Sequence, residues 1–153
     1  ACCSQIMPYI SINAIEGPVD TTRTIASLLF SGTVARCPHI RFVFAHIGGI
    51  LTLIADHLVR AAEVDPLLKN KIPQGVKNAI QSFHYDTALR AHPAGLKAAL
   101  ELVGVSRLLF GTDAPLRRSR DQLQGLLEHG FSAGDLRSIE CGNALALFSR
   151  TAK

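Results

Sequence analysis

Two residues able to do acid–base or metal chemistry stand at matching places in this chain. His46 follows the apolar run Phe42-Val43-Phe44-Ala45 and precedes Ile47-Gly48-Gly49. Asp113 follows Leu108-Leu109-Phe110-Gly111-Thr112 and precedes Ala114-Pro115. An imidazole titrates near neutrality and can donate, accept or ligate. A carboxylate can ligate a divalent cation or move a proton. A charge at the end of a buried strand is costly unless it is paired, so Asp113 calls for a partner. Asp86 and Thr87 end a third strand-like stretch. Each residue also has a structural reading. Asp113 or Asp86 would serve as a helix cap or turn residue, and His46 as a hydrogen-bonded structural histidine. The glycine pair after His46 opens space, which leaves its two readings level.

The elements that must position these groups follow from periodicity. Apolar runs without polar alternation read as strands buried on both faces, which predicts strands over Arg41–Ala45 and Leu108–Phe110. Phe83 and Tyr85 alternate with polar neighbours, predicting a strand over Ser82–Ala88. Asp20 reads as an N-cap for a helix from Thr21 to about Arg36, with Ile25, Leu28 and Leu29 on its buried stripe and Pro38 beyond its end. Leu51, Ile54, Ala55, Leu58 and Ala62 mark a helix directly after the glycines. Another begins near Pro93 and ends at Gly104, and another holds Leu123, Leu126 and Leu127 and ends near Gly130. Ser132 opens a short helix to about Ile139, and Gly142-Asn143 opens the last one. Residues 1–19 have no clear period, and Asp65–Asn78, with Pro66, Pro73 and Gly75, reads as a loop excursion. Gly111 is expected to give a tight turn, and Gly48-Gly49 a close approach of backbone to a ligand. No lysine and hydroxyl pair follows at phosphate-loop spacing.

Alternating strands and helices give the α/β class with parallel strands. In such folds the C-terminal strand ends share one face, where sites form. His46, Asp113 and either Asp86 or Thr87 therefore converge on one opening.

Composition narrows the function classes. The chain has 153 residues, 48% hydrophobic and 18% charged, which supports one cored domain over residues 1–153 and argues against a disordered tail. The net charge of +4 is scattered. Its tightest cluster, Arg117, Arg118 and Arg120, lacks interleaved aromatics and reads as a solvated loop, so no nucleic-acid partner is expected. The cysteines, Cys2, Cys3, Cys37 and Cys141, form neither a two-residue-spaced metal clip nor a disulfide framework. A reducing, cytoplasmic location follows as the expectation. Cys37 and Cys141 have no base nearby in sequence and read as inert. No apolar run is long enough for a membrane span, so no membrane partner is expected. His39, His57, His92 and His129 read as surface residues, and no serine sits in a nucleophile elbow.

Taken together, Phe42–Gly49, Tyr85–Ala88, Leu109–Pro115 and Gly142–Phe148 make the chain similar to the amidohydrolase superfamily. It most resembles the amidohydrolase-related branch that includes aminocarboxymuconate-semialdehyde decarboxylase and metal-dependent aromatic-acid decarboxylases. The helix before the histidine strand resembles that of 6-methylsalicylate-decarboxylase-like members. The resemblance covers about Asp20 to Phe148. It implies a (β/α)8 barrel, of which this chain supplies the C-terminal part with about three parallel strands and flanking helices. It implies that His46 is a catalytic histidine ending strand six. It implies that Asp113, ending strand eight, is a metal ligand and a second catalytic residue that can move a proton. The family's cofactor is one divalent metal, zinc or manganese. The family's His-any-His pair and its strand-five histidine have no counterpart here. The expectation is that this chain alone binds no metal and is an inactive fragment of a larger enzyme.

Three functions are carried forward. The first is a metal-dependent decarboxylase of a small aromatic or unsaturated carboxylic acid, with Arg23 or Arg90 as a possible partner for the acid's carboxylate. The second is a metal-dependent hydrolase of a lactone or amide on the same scaffold. The third is a non-catalytic half-barrel acting as an interaction module or homodimer.

Overall fold

A computed structural model describes residues 9–88 and 92–149. Cys2, Cys3 and Arg90 lie outside the described residues. The chain divides into two compact units: one runs to Phe42 and resumes over Gly48–Ser82, and the other takes Val43–Ile47 and the chain from Phe83 onward.

The first unit is helical. Helix α1 (Ile12–Phe30) starts well before the expected Asp20, with Ser11 as its N-cap accepting from the Asn13 amide. Pro18 lies inside it. A proline removes one donor from the helix ladder, and α1 accommodates that loss rather than ending there. Asp20 thus lies inside the helix and pairs with Arg23 at 2.9 Å. The buried stripe is Thr22, Ile25 and Leu29. The helix stops at Phe30 because Gly32 takes a left-handed φ of 75°, and a single turn, α2 (Thr33–Arg36), follows. Helix α3 (Leu51–Val64) is as expected from its periodicity. Asp65–Asn78 is not a loop excursion. It contains α4 (Pro66–Lys71) and the start of α5 (Val76–Ser82). Pro66 occupies the first turn of α4, where its missing N–H costs nothing, and Asp65 Oδ1 caps the Leu67 amide at 2.8 Å. Ile25, Leu29, Leu51, Ala79 and Ile80 are fully buried in this unit.

The second unit carries a parallel sheet of three strands in the order β1 (Val43–Phe44), β2 (His84–Asp86), β3 (Leu108–Leu109). Val43 pairs with His84 and Tyr85 with Leu108, so the strands run in step. All three are shorter than expected. Ser82 belongs to α5, and the β1 ladder ends where the backbone turns left-handed at His46 and Ile47. Helix α6 (Pro93–Val103) links β2 to β3, and after β3 come α7 (Ser119–Glu128), α8 (Ala133–Arg137), a π-helical turn over Ser138–Gly142 and α9 (Asn143–Phe148). Phe44 and Phe83 meet edge to face with centroids 5.2 Å apart, and Tyr85, Leu96, Leu108, Leu126 and Ile139 are buried. Asn143 Nδ2 donates to the carbonyls of Val105 and Leu108 at 2.8 and 2.7 Å, fastening α9 to the start of β3. No helix among the described residues is long and apolar enough to cross a membrane.

Candidate functional site

Each strand of the second unit delivers one polar group at its C-terminal end. His46 comes two residues after β1, Asp86 is the last residue of β2, and Asp113 lies in the turn after β3. His46 Nε2 and Asp113 Oδ1 are 3.4 Å apart. The two side chains are 23% and 29% exposed, so solvent screens them only in part.

The backbone beneath them is unusual. His46 has φ 55° and ψ 41°, Ile47 has φ 54° and ψ 33°, and Asp113 has φ 59°. Left-handed backbone costs an L-residue about 1–2 kcal/mol, and for a β-branched isoleucine it is an outlier. Such conformations persist where surrounding structure determines them, and they cluster at functional sites.

Hydrogen bonds hold this edge in place. Asp86 Oδ1 accepts from the His46 amide at 2.8 Å and from the Ala88 amide at 3.0 Å. Thr87 N donates to the Leu109 carbonyl at 2.9 Å, extending the β2–β3 pairing by one step. The buried Gln122 of α7 donates from Nε2 to the Thr87 carbonyl. Thr87 Oγ1 accepts from the Gly111 amide at 3.3 Å. The expected convergence of His46, Asp113 and Asp86 is therefore present, but Asp86 binds backbone amides. Thr87 is buried and structural. His84 is buried near the opposite end of the ladder, with Nε2 3.5 Å from Arg107 Nη1.

Two glycine expectations change. A Cβ on Gly111 would lie 2.8 Å from Asp86 Cβ, so that position needs a glycine for clearance rather than for a turn. A Cβ on Gly49 would lie 1.9 Å from the Pro18 carbonyl oxygen, so the close approach there is to α1 rather than to a ligand. Thr22 secures this glycine turn within the first unit. Its hydroxyl donates to the Gly48 carbonyl at 2.7 Å and accepts from the Ile50 amide at 2.9 Å. Threonine on a helix gives no sequence sign of that role.

The remaining candidates separate. Arg23 pairs with Asp20 in the first unit. His39, His57 and His92 are exposed, and His129 is half-buried against Phe131. Arg117, Arg118 and Arg120 are exposed. Cys37 and Cys141 are free thiols.

A catalytic divalent metal takes about three protein ligands. His46 Nε2 and Asp113 Oδ1 supply two donors, and no group of three or more His, Cys, Asp or Glu able to hold a metal occurs among the described residues. The described donor set does not complete a metal site by itself.

The family model described as amidohydrolase matches residues 10–150. The chain belongs to the amidohydrolase family. It is 28% identical to decarboxylase macB of Penicillium terrestre, over 95% of this chain and 45% of that protein. It is 29% identical to 6-methylsalicylic acid decarboxylase of Penicillium expansum, over 87% of this chain and 42% of that protein. It shares a fold with the crystal structure of a dihydroxybenzoic acid decarboxylase from Polaromonas sp. JS666, with a TM-score of 0.73, 22% identity, and coverage of 94% of this chain and 42% of that one. That structure holds manganese and the inhibitor 2-nitroresorcinol. The chain thus spans less than half the length of these relatives. Its parallel strands and flanking helices form part of the (β/α)8 barrel of the amidohydrolase fold.

Proposed function

We propose that this amidohydrolase chain carries the proton-handling pair of a metal-dependent decarboxylase of a small aromatic or unsaturated carboxylic acid. The observation that supports it is the approach of His46 Nε2 to Asp113 Oδ1 at the C-terminal strand edge, in a chain whose curated relatives are decarboxylases. Residues 1–153 are, on this reading, part of one amidohydrolase-related domain, and the cysteine pattern supports a cytoplasmic location.

The chemistry required of the pair is a proton transfer. A proton reaches the carbon that bears the carboxylate. The bond from that carbon to the carboxylate breaks, its electron pair returns to the carbon skeleton, and carbon dioxide leaves. His46 and Asp113 are the catalytic residues: a proton on Nε2 or Oδ1 is shared across their contact and is delivered to that carbon. Asp113 is also the proposed ligand, from this chain, of a zinc or manganese ion, whose further ligands would have to come from outside the described residues.

The purified gene product, supplied with manganese or zinc, should release one carbon dioxide for each 6-methylsalicylate or dihydroxybenzoate consumed. Turnover of lactones or amides, with no carbon dioxide from any such acid, would overturn the proposal in favour of a hydrolase.

A further inference from the structure

We infer that Asp86 is a positioning residue for His46, and that Gly111 is a glycine so that Asp86 can hold that place. The kinetic part of this inference rests on the proposed decarboxylase function; the structural part does not. His46 and Ile47 are consecutive non-glycine residues in the left-handed region. Neither conformation is favourable on its own, so something outside the turn must fix it. The His46 amide donates to Asp86 Oδ1 at 2.8 Å, and the Ala88 amide donates to the same oxygen at 3.0 Å. A carboxylate accepting backbone N–H groups makes a stronger bond than a neutral acceptor does. One oxygen thus ties the turn after β1 to the end of β2.

The third strand closes this arrangement. An added Cβ at Gly111 would lie 2.8 Å from Asp86 Cβ, 2.9 Å from Cγ and 3.1 Å from Oδ1. Gly111 cannot simply withdraw, because its amide is bonded to Thr87 Oγ1 at 3.3 Å. Any side chain at 111 must therefore push the Asp86 carboxylate off the His46 amide. His46 Nε2 meets Asp113 only if the His46 backbone is held where it is, and Asp86 sets that position without touching the reacting atoms.

The test compares D86A, D86N and G111A in the full gene product by amide hydrogen exchange, NMR and kinetics. D86A removes the acceptor, and G111A keeps the carboxylate but displaces it. Both should speed exchange of the His46 amide by about tenfold or more and lower kcat about 100-fold, as a misplaced catalytic group does, with little change in KM. D86N retains an oxygen in the same place and should recover most of that loss, while the loss of charge shifts the His46 amide resonance. If D86A does not fold, G111A and the D86N resonance decide the matter. Unchanged His46 exchange in D86A or G111A, or an unmoved His46 resonance in D86N, would overturn the inference. Absence of carbon dioxide release by the wild type would instead end the decarboxylase reading, and the amide measurements would still decide the role of Asp86.

Discussion

His46 and Asp113, 67 positions apart in sequence, bring Nε2 and Oδ1 within 3.4 Å while both residues sit on left-handed backbone. An imidazole and a carboxylate, each on a costly conformation at the end of a parallel sheet where sites form, are the arrangement that the proposed proton-handling pair requires. Replacing either partner should therefore damage chemistry more than stability. H46N and D113N are each expected to lower decarboxylation about 10²–10⁴-fold, the usual contribution of a positioned acid or base. Their denaturation midpoints should barely move, because partly exposed ion pairs are worth about 1 kcal/mol or less. Steady-state rates beside urea titrations check both halves.

The glycine turn that follows His46 makes a stability prediction. A methyl group at Gly49 would fall 1.9 Å from the Pro18 carbonyl oxygen on a backbone of φ 74°. G49A should lose more than about 2 kcal/mol, since the left-handed penalty alone approaches that figure. T22V leaves the Gly48 carbonyl and Ile50 amide without their hydroxyl partner and should cost about 2 kcal/mol, whereas T22S keeps both bonds and should cost less. Urea unfolding of the three variants gives the order directly.

Asn143 offers a test in which the more conservative change does more harm. Its amide nitrogen donates to two carbonyls, Val105 and Leu108. N143A removes both bonds and should destabilise by about 2 kcal/mol. N143D places a carboxylate against two carbonyl oxygens and should destabilise further. Thermal melts at neutral pH should rank wild type above N143A and N143A above N143D.

Burial pushes the Tyr85 phenol up from its ordinary value of 10.0. The folded protein keeps the proton after the unfolded chain has released it, so the unfolded state binds fewer protons above that pH. The stability this provides is complete below pH 10.0 and falls as pH rises beyond it. Denaturant titrations between neutral and alkaline pH should show the decline in wild type and a weaker one in Y85F.

The convergence of the candidate residues was legible because they follow strands written as unbroken apolar runs. Phe42–Ala45 before His46 and Leu108–Phe110 before Asp113 carry that signal locally. What stayed hidden depends on partners far along the chain. Asp86 reads either as a turn or cap residue or, with Thr87 as the alternative, as part of the convergence, and the His46 amide it binds is 40 residues away. Thr22 and Gln122 bind carbonyls 26 and 35 residues away. Residues 1–19 read as aperiodic, and Pro66 and Gly75 as breaks in local pattern. In the fold Pro18 is carried within a helix, Pro66 opens one, and the Gly75 carbonyl takes the first bond of α5. The first strand is short because left-handed residues end its ladder, and nothing in the composition of Ala45-His46-Ile47 announces that.

The decisive measurement is decarboxylation of 6-methylsalicylate or a dihydroxybenzoate in heavy water by the wild-type gene product and by H46N, with a divalent metal supplied. Wild type should release carbon dioxide and leave one deuterium on the vacated carbon, and H46N should do so at least about 100-fold more slowly. Equal rates for the two proteins would contradict a proton-handling role for His46, and the absence of carbon dioxide from every aromatic and every unsaturated carboxylic acid supplied would contradict the decarboxylase itself.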